Sequence, residues 1–162
     1  MNETDAAPDT DAPPPTTIWV DADAAPRAIK EILYKAAIRV KMPMVLVANS
    51  PLYTPNSVWI TTRQVGKGFD IADEWIEEQV QAGDLVITQD IPLAAAVVEK
   101  GAHVIDVRGE VIDKTNAKAR LAARDRNEAL RESGMQTGGP KPFSDKNKRQ
   151  FAGSLDRWLA RR

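Results

Sequence analysis

The chain has 162 residues, no cysteine, one histidine and a formal net charge of −1. This excludes disulfides, thiolate metal sites, a cysteine nucleophile and a polyhistidine centre, and a lone His103 leaves little room for a Ser-His-Asp triad. Any chemistry must rest on carboxylates, lysines, arginines, hydroxyls or a bound ion, in a chain long enough for one domain with a real core.

Residues 1–16 hold four prolines and four acids, with Met1 as the only sizeable apolar side chain. Such a segment cannot bury enough surface to offset its ordering entropy, so a disordered tail is expected, followed by one domain over 17–162. The start of the chain lacks the basic and apolar regions of a signal peptide, and no apolar run reaches the ~20 residues of a membrane span. A soluble cytoplasmic protein with no membrane partner is the expectation.

The first strand is predicted over 17–20. A helix over 26–41 follows, with Ile29, Ile32, Leu33, Ala36 and Val40 on one face and Pro26 in its first turn. The apolar run 44–48 predicts a second buried strand ending at Asn49, and β-branched residues over 58–62 predict a third. A turn at Gly66-Lys67-Gly68 leads to Asp70 and Asp73, which can cap a helix reaching about residue 81. A fourth strand (85–88), a helix (92–100) closed by Gly101, and a fifth strand (103–107) come next. Alternating strands and helices imply α/β architecture: a central, mainly parallel sheet of about five strands covered on both faces.

Beyond Gly109 the pattern changes. Val111-Ile112 extends the sheet, Thr115 is the expected cap of a basic helix to about residue 133, 134–142 is a Gly/Pro loop, and Ser144 caps a last helix with Phe151, Leu155, Trp158 and Leu159 on one stripe. Residues 1–107 carry sixteen acids and eight bases; residues 108–162 carry seven and fourteen. That asymmetry marks the last third as a candidate surface for a polyanion such as RNA, with Arg120, Arg124 and Arg131 on one helix face. The other reading is a solvated helix face.

Two segments share a strand–acid–proline–helix pattern: Ile18-Trp19-Val20-Asp21-Ala22-Asp23-Ala24-Ala25-Pro26 and Leu85-Val86-Ile87-Thr88-Gln89-Asp90-Ile91-Pro92. Strand order 3-2-1-4-5 would place strand 1 beside strand 4 and open a crevice between their C-terminal ends, where such sheets bind ligands. Asp21 and Asp90 would face each other there, because a strand tip within a sheet is a poor place for an idle charge. Asp23 and Asp73 are further candidates as metal ligands or catalytic acids and Asp70 as a metal ligand; Asp23 reads as readily as a helix cap, and Asp70 and Asp73 read first as caps. Asp84 falls at the opposite end of the sheet and reads as structural; Asp106 is a possible fourth ligand. Converging carboxylates repel unless protons or a cation neutralise them, and an all-oxygen set suits Mg²⁺ or Mn²⁺. Asn49, Thr88, Arg63, Lys67, Arg120 and Arg124 are the candidate substrate contacts.

At these residues the chain resembles the YaiI/YqxD family of uncharacterised bacterial proteins, grouped with the PIN-like fold. The matching stretches are IWVDADAAP (18–26), IKEILY (29–34), VLVAN (45–49), GFDIAD (68–73), GDLVITQDIPLA (83–94) and SGMQTGGP (133–140). Family members usually carry cysteine where this chain has Ala25, so a thiol there is not needed for any shared function. The resemblance implies a three-layer PIN-like domain. PIN-like proteins are typically metal-dependent ribonucleases with acids at strand tips; Asp21 and Asp90 match that pattern, and Asp70 or Asp73 would have to serve as the helix acid.

Three functions follow as expectations. The first is a Mg²⁺/Mn²⁺-dependent nuclease acting on RNA. The second is a non-catalytic RNA-binding or interaction module using the basic last third. The third is a phosphatase of the haloacid-dehalogenase type, which shares the strand–Asp–x–Asp opening but expects threonine or valine where Ala25 stands.

Overall fold

The computed structural model describes residues 15–68, 70–132 and 142–162, with backbone alone at 128, 131 and 132. The expected tail therefore lies outside the described residues up to residue 14, the expected 134–142 loop lies outside them up to residue 141, and the side chain of Arg131 lies outside them too.

Six strands form one sheet: β1 Ile18–Asp21, β2 Met44–Ala48, β3 Ile60–Gln64, β4 Leu85–Ile87, β5 His103–Ile105 and β6 Val111–Ile112. Their order is β3-β2-β1-β4-β5-β6, with every pairing parallel except the last. The chain thus winds outward from β1 to β3 and returns to lay β4 against the other edge of β1. The reversal of direction falls between β1 and β4, as the two apolar runs with acidic tips had indicated.

Alternation along the strands sorts two cores. Ile18 and Val20, Met44 and Leu46, Leu85 and Ile87 pack under α1 (Arg27–Val40) and α5 (Asp145–Ala160), which contribute Ile29, Leu33, Phe151 and Leu155. Trp19, Val47, Val86 and Val104 face the opposite layer: α2 (Ile71–Gln79), α3 (Ile91–Glu99) and α4 (Lys114–Glu132). The result is a three-layer α/β/α arrangement, consistent with a PIN-like domain. None of the described helices is long and apolar enough to cross a membrane.

Several boundaries differ from expectation for local reasons. The third strand starts two residues later, because Ser57 turns the chain: its Oγ accepts from Trp59 N at 3.2 Å and its carbonyl from Ile60 N, leaving Val58 exposed. Asp113, not Thr115, caps α4, through reciprocal bonds with Asn116 of 2.8 and 3.0 Å. A single 3-10 turn, Ala22–Ala24, separates β1 from α1. Ser144 caps α5 as expected, in a reciprocal pair with Asn147.

Asp84 is buried at the N-terminal end of β4 and accepts three hydrogen bonds: Thr17 N at 3.0 Å, Trp19 Nε1 at 2.9 Å and Gln81 N at 2.9 Å. It fixes the β1–β4 junction from below, a structural role. Asp84→Ala strands three donors, each buried unpaired group costing about 1–3 kcal/mol. Urea denaturation is expected to show a loss of about 3 kcal/mol or more; a variant as stable as the parent would contradict this role.

Candidate metal centre

Period-two alternation puts Asp21 on the face of Trp19 and Thr88 on the face of Val86, toward α2 and α3. The Thr88 hydroxyl, buried between β1 and β4, donates to Asp21 Oδ2 at 3.1 Å and accepts from Asp90 N at 3.0 Å. One side chain thus links the two strand tips. Asp90 begins α3, where its Oδ1 accepts from Leu93 N at 2.8 Å. That cap fixes one oxygen and turns the carboxylate toward α2.

From α2 come two more acids. Asp73 shares a helical stripe with Ile76 and Val80, both buried in the same core, so it lies on the sheet-facing side of the helix, half-buried. Asp70 precedes the helix with φ of +66°, a left-handed conformation that aspartate tolerates better than most residues, and its side chain makes no capping bond. Carboxylate oxygens of Asp70, Asp73 and Asp90 all lie within 4.8 Å of one another. Asp21 adjoins them closely enough for its charge to act on Asp73, and for that of Asp90 to act on Asp21.

The electrostatics are those of crowded anions. Burial is the largest influence on Asp73 and, with a hydrogen bond to Asp90 and the charges of Asp90, Asp21 and Asp70, raises its pKa to about 7. Burial also raises Asp21; Thr88 opposes that shift, and Asp90 and Asp23 add to it. Oxygen donors alone are the ligand chemistry of a hard dication.

The remaining candidates sort by their bonds. Asp23 turns to β2, its Oδ2 accepting from Asn49 N at 2.8 Å; it caps no helix and stands outside the three-acid group, with its charge still felt at Asp21. Asn49 thereby serves through its backbone. Thr88 bonds both Asp21 and Asp90 through its hydroxyl. Arg63 stacks over Trp75 at 5.2 Å, and Lys67 is exposed. Arg120 pairs with Asp106 and Glu110. Asp106 is likewise occupied: its Oδ1 accepts from Arg108 N and Glu110 N, closing the turn after β5. Arg124 lines a shallow depression with Ile91, the residue after Asp90. Sequence reasoning weighed Asp73 as a cap; its place on the Ile76/Val80 stripe was the signal that it faces inward.

Residues 19–161 match the family described as "Uncharacterized BCR, YaiI/YqxD family". The chain belongs to this family. A UPF0178 protein from Hahella chejuensis (strain KCTC 2396) is 55% identical over 144 residues, covering 89% of this chain and 96% of the relative. No solved structure matches the chain. Neither family description assigns an activity.

The raised acids set the pH dependence of stability. A raised carboxyl pKa means that the folded protein keeps a proton that the unfolded chain releases. Between the ordinary 3.8 and about 7 the folded state therefore binds more protons, and stability falls as pH rises through that window. Urea midpoints measured in metal-free buffer should show the parent losing ground to Asp73→Asn as pH climbs to about 7; parallel profiles would contradict the repulsive cluster.

Proposed function

We propose that this protein is a Mg²⁺- or Mn²⁺-dependent phosphodiesterase acting on RNA. The observation that carries the reading is the convergence of Asp70, Asp73 and Asp90, with Asp21 beside them, at the crevice between β1 and β4.

Asp73 and Asp90 would hold the ion, with Asp21 and Asp70 completing or outlining its shell. A dication bound there would supply an activated water and would neutralise charge on a phosphoryl group in an in-line displacement. The chain's own groups do the positioning. Thr88 fixes the rotamer of Asp21 and the backbone of Asp90 together. Leu93 N holds Asp90 Oδ1 and leaves its other oxygen to the crevice. Asp23 has one carboxylate oxygen bonded by Asn49 N, and Ala25 stands where a haloacid-dehalogenase-type phosphatase expects threonine or valine. A purely RNA-binding module would have no use for four acids at the crevice, since they repel a polyanion.

The test is cleavage of a labelled single-stranded RNA with either metal. Asp21→Asn, Asp73→Asn and Asp90→Asn should each reduce the rate to background while remaining folded. Thr88→Val, which removes an orienting hydroxyl, should lose about 10–100-fold. Absence of turnover by the parent on any RNA or DNA with either ion, or full activity in Asp90→Asn, would overturn the proposal.

A further inference from the structure

A second cleft lies between the turn after β5 and α5. Asp106 ties the turn, and Gly109 at its apex has φ of +90°. Gly109 lies flat against α5: a Cβ there would come within 2.4 Å of the Gln150 backbone. Its carbonyl accepts from the buried Ser154 hydroxyl, which in turn accepts from Arg157 Nη2 at 3.1 Å. Arg157 folds back over Gly153, where an added Cβ would sit 3.3 Å from Nη1. Across the cleft, Arg108 Nη1 donates to Asn147 Oδ1 at 2.9 Å, and Arg149 lines the same space of about 440 Å³.

Three guanidinium groups thus line one cleft. Arg157 is oriented by a hydroxyl through Nη2, and among the described residues no hydrogen bond occupies its Nε or Nη1. Among the described residues neither Arg149 nor Arg157 has a carboxylate partner. Glu110, an acid in the wall, is engaged by Arg120. Phe151, Leu155 and the Gly109–Ser154 contact hold α5, with Arg108 and Arg157 each adding one bond to it, while Arg149 makes no side-chain bond among the described residues.

We propose that this cleft is a phosphate-binding site, recognising phosphate or phosphodiester oxygens through Arg149 and Arg157 with Arg108 alongside. Guanidinium forks match such oxygens in pairs, which an ammonium cannot do. The phosphate can come from a nucleic-acid backbone or from a small phosphorylated molecule. Binding does not depend on hydrolysis at the carboxylates, and the two ideas can fail separately.

The experiment uses the full chain carrying Asp21→Asn, so that no cleavage consumes the probe. Two probes are titrated: a fluorescent single-stranded RNA and inorganic pyrophosphate. Arg149→Glu, at a side chain without internal bonds, should weaken whichever probe binds by about tenfold. On the RNA arm it should also lower the salt-dependence slope by about 0.7. Gly153→Ala provides a control on folding: alanine favours the helix, so the melting temperature should hold or rise, while the new methyl, 3.3 Å from Arg157 Nη1, makes that guanidinium give by a few tenths of an ångström and weakens binding less than Arg149→Glu does. Loss on the RNA arm alone identifies a backbone site; loss on the pyrophosphate arm identifies a small-ligand site. Binding of neither probe by the parent, or retention within about twofold in both variants, overturns the inference.

Discussion

Mutual repulsion among carboxylates at the meeting of β1 and β4 is the constraint around which the rest of the molecule is arranged. Asp21, Asp73 and Asp90 are held together against their own charge, and burial increases the cost. The scaffold that enforces this is ordinary: two parallel strands paired from Ile18 to Val20, a hydroxyl between their tips, and a helix packed by Ile76 and Val80. Asp84 secures the opposite end of the same strand pair. Under the proposed reading, a cation bound in this crevice would relieve the repulsion and convert it into affinity.

Thr88 and Asp90 show how closely structure and site are joined. Asp90 both caps α3 and faces the other acids; Thr88 both closes the β1–β4 junction and sets Asp21. A residue serving two purposes cannot be assigned to one from its type alone. Asp23 makes the same point in reverse. It stands where a cap or ligand would be expected and instead ties β1 to β2 through Asn49.

Much of the architecture was readable beforehand, because apolar runs over 18–20, 44–48 and 85–87 can only be buried strands and the intervening stripes only helices. The order of those strands followed from the chirality of crossovers, and with it the encounter of Asp21 and Asp90. Less was readable where local hydrogen bonding competes. Ser57 delays β3, Asp113 displaces Thr115 as a cap, and Asp106 closes a turn instead of joining the acids. The basic last third was visible as a charge imbalance, but its pairing was not: Arg120 is spent on Asp106 and Glu110, whereas Arg149 and Arg157 converge on a cleft through contacts at Gly109 and Gly153 that no spacing rule reveals.

Family membership adds no chemistry of its own, so the case for an ion rests on geometry and charge. The direct measurement is anomalous diffraction at the manganese edge from crystals soaked in Mn²⁺. A single strong peak coordinated by Asp73 and Asp90, with Asp21 or Asp70 in its shell, is the expected result. A map with no peak among these four side chains, at a soak that places manganese elsewhere on the protein, would contradict the account.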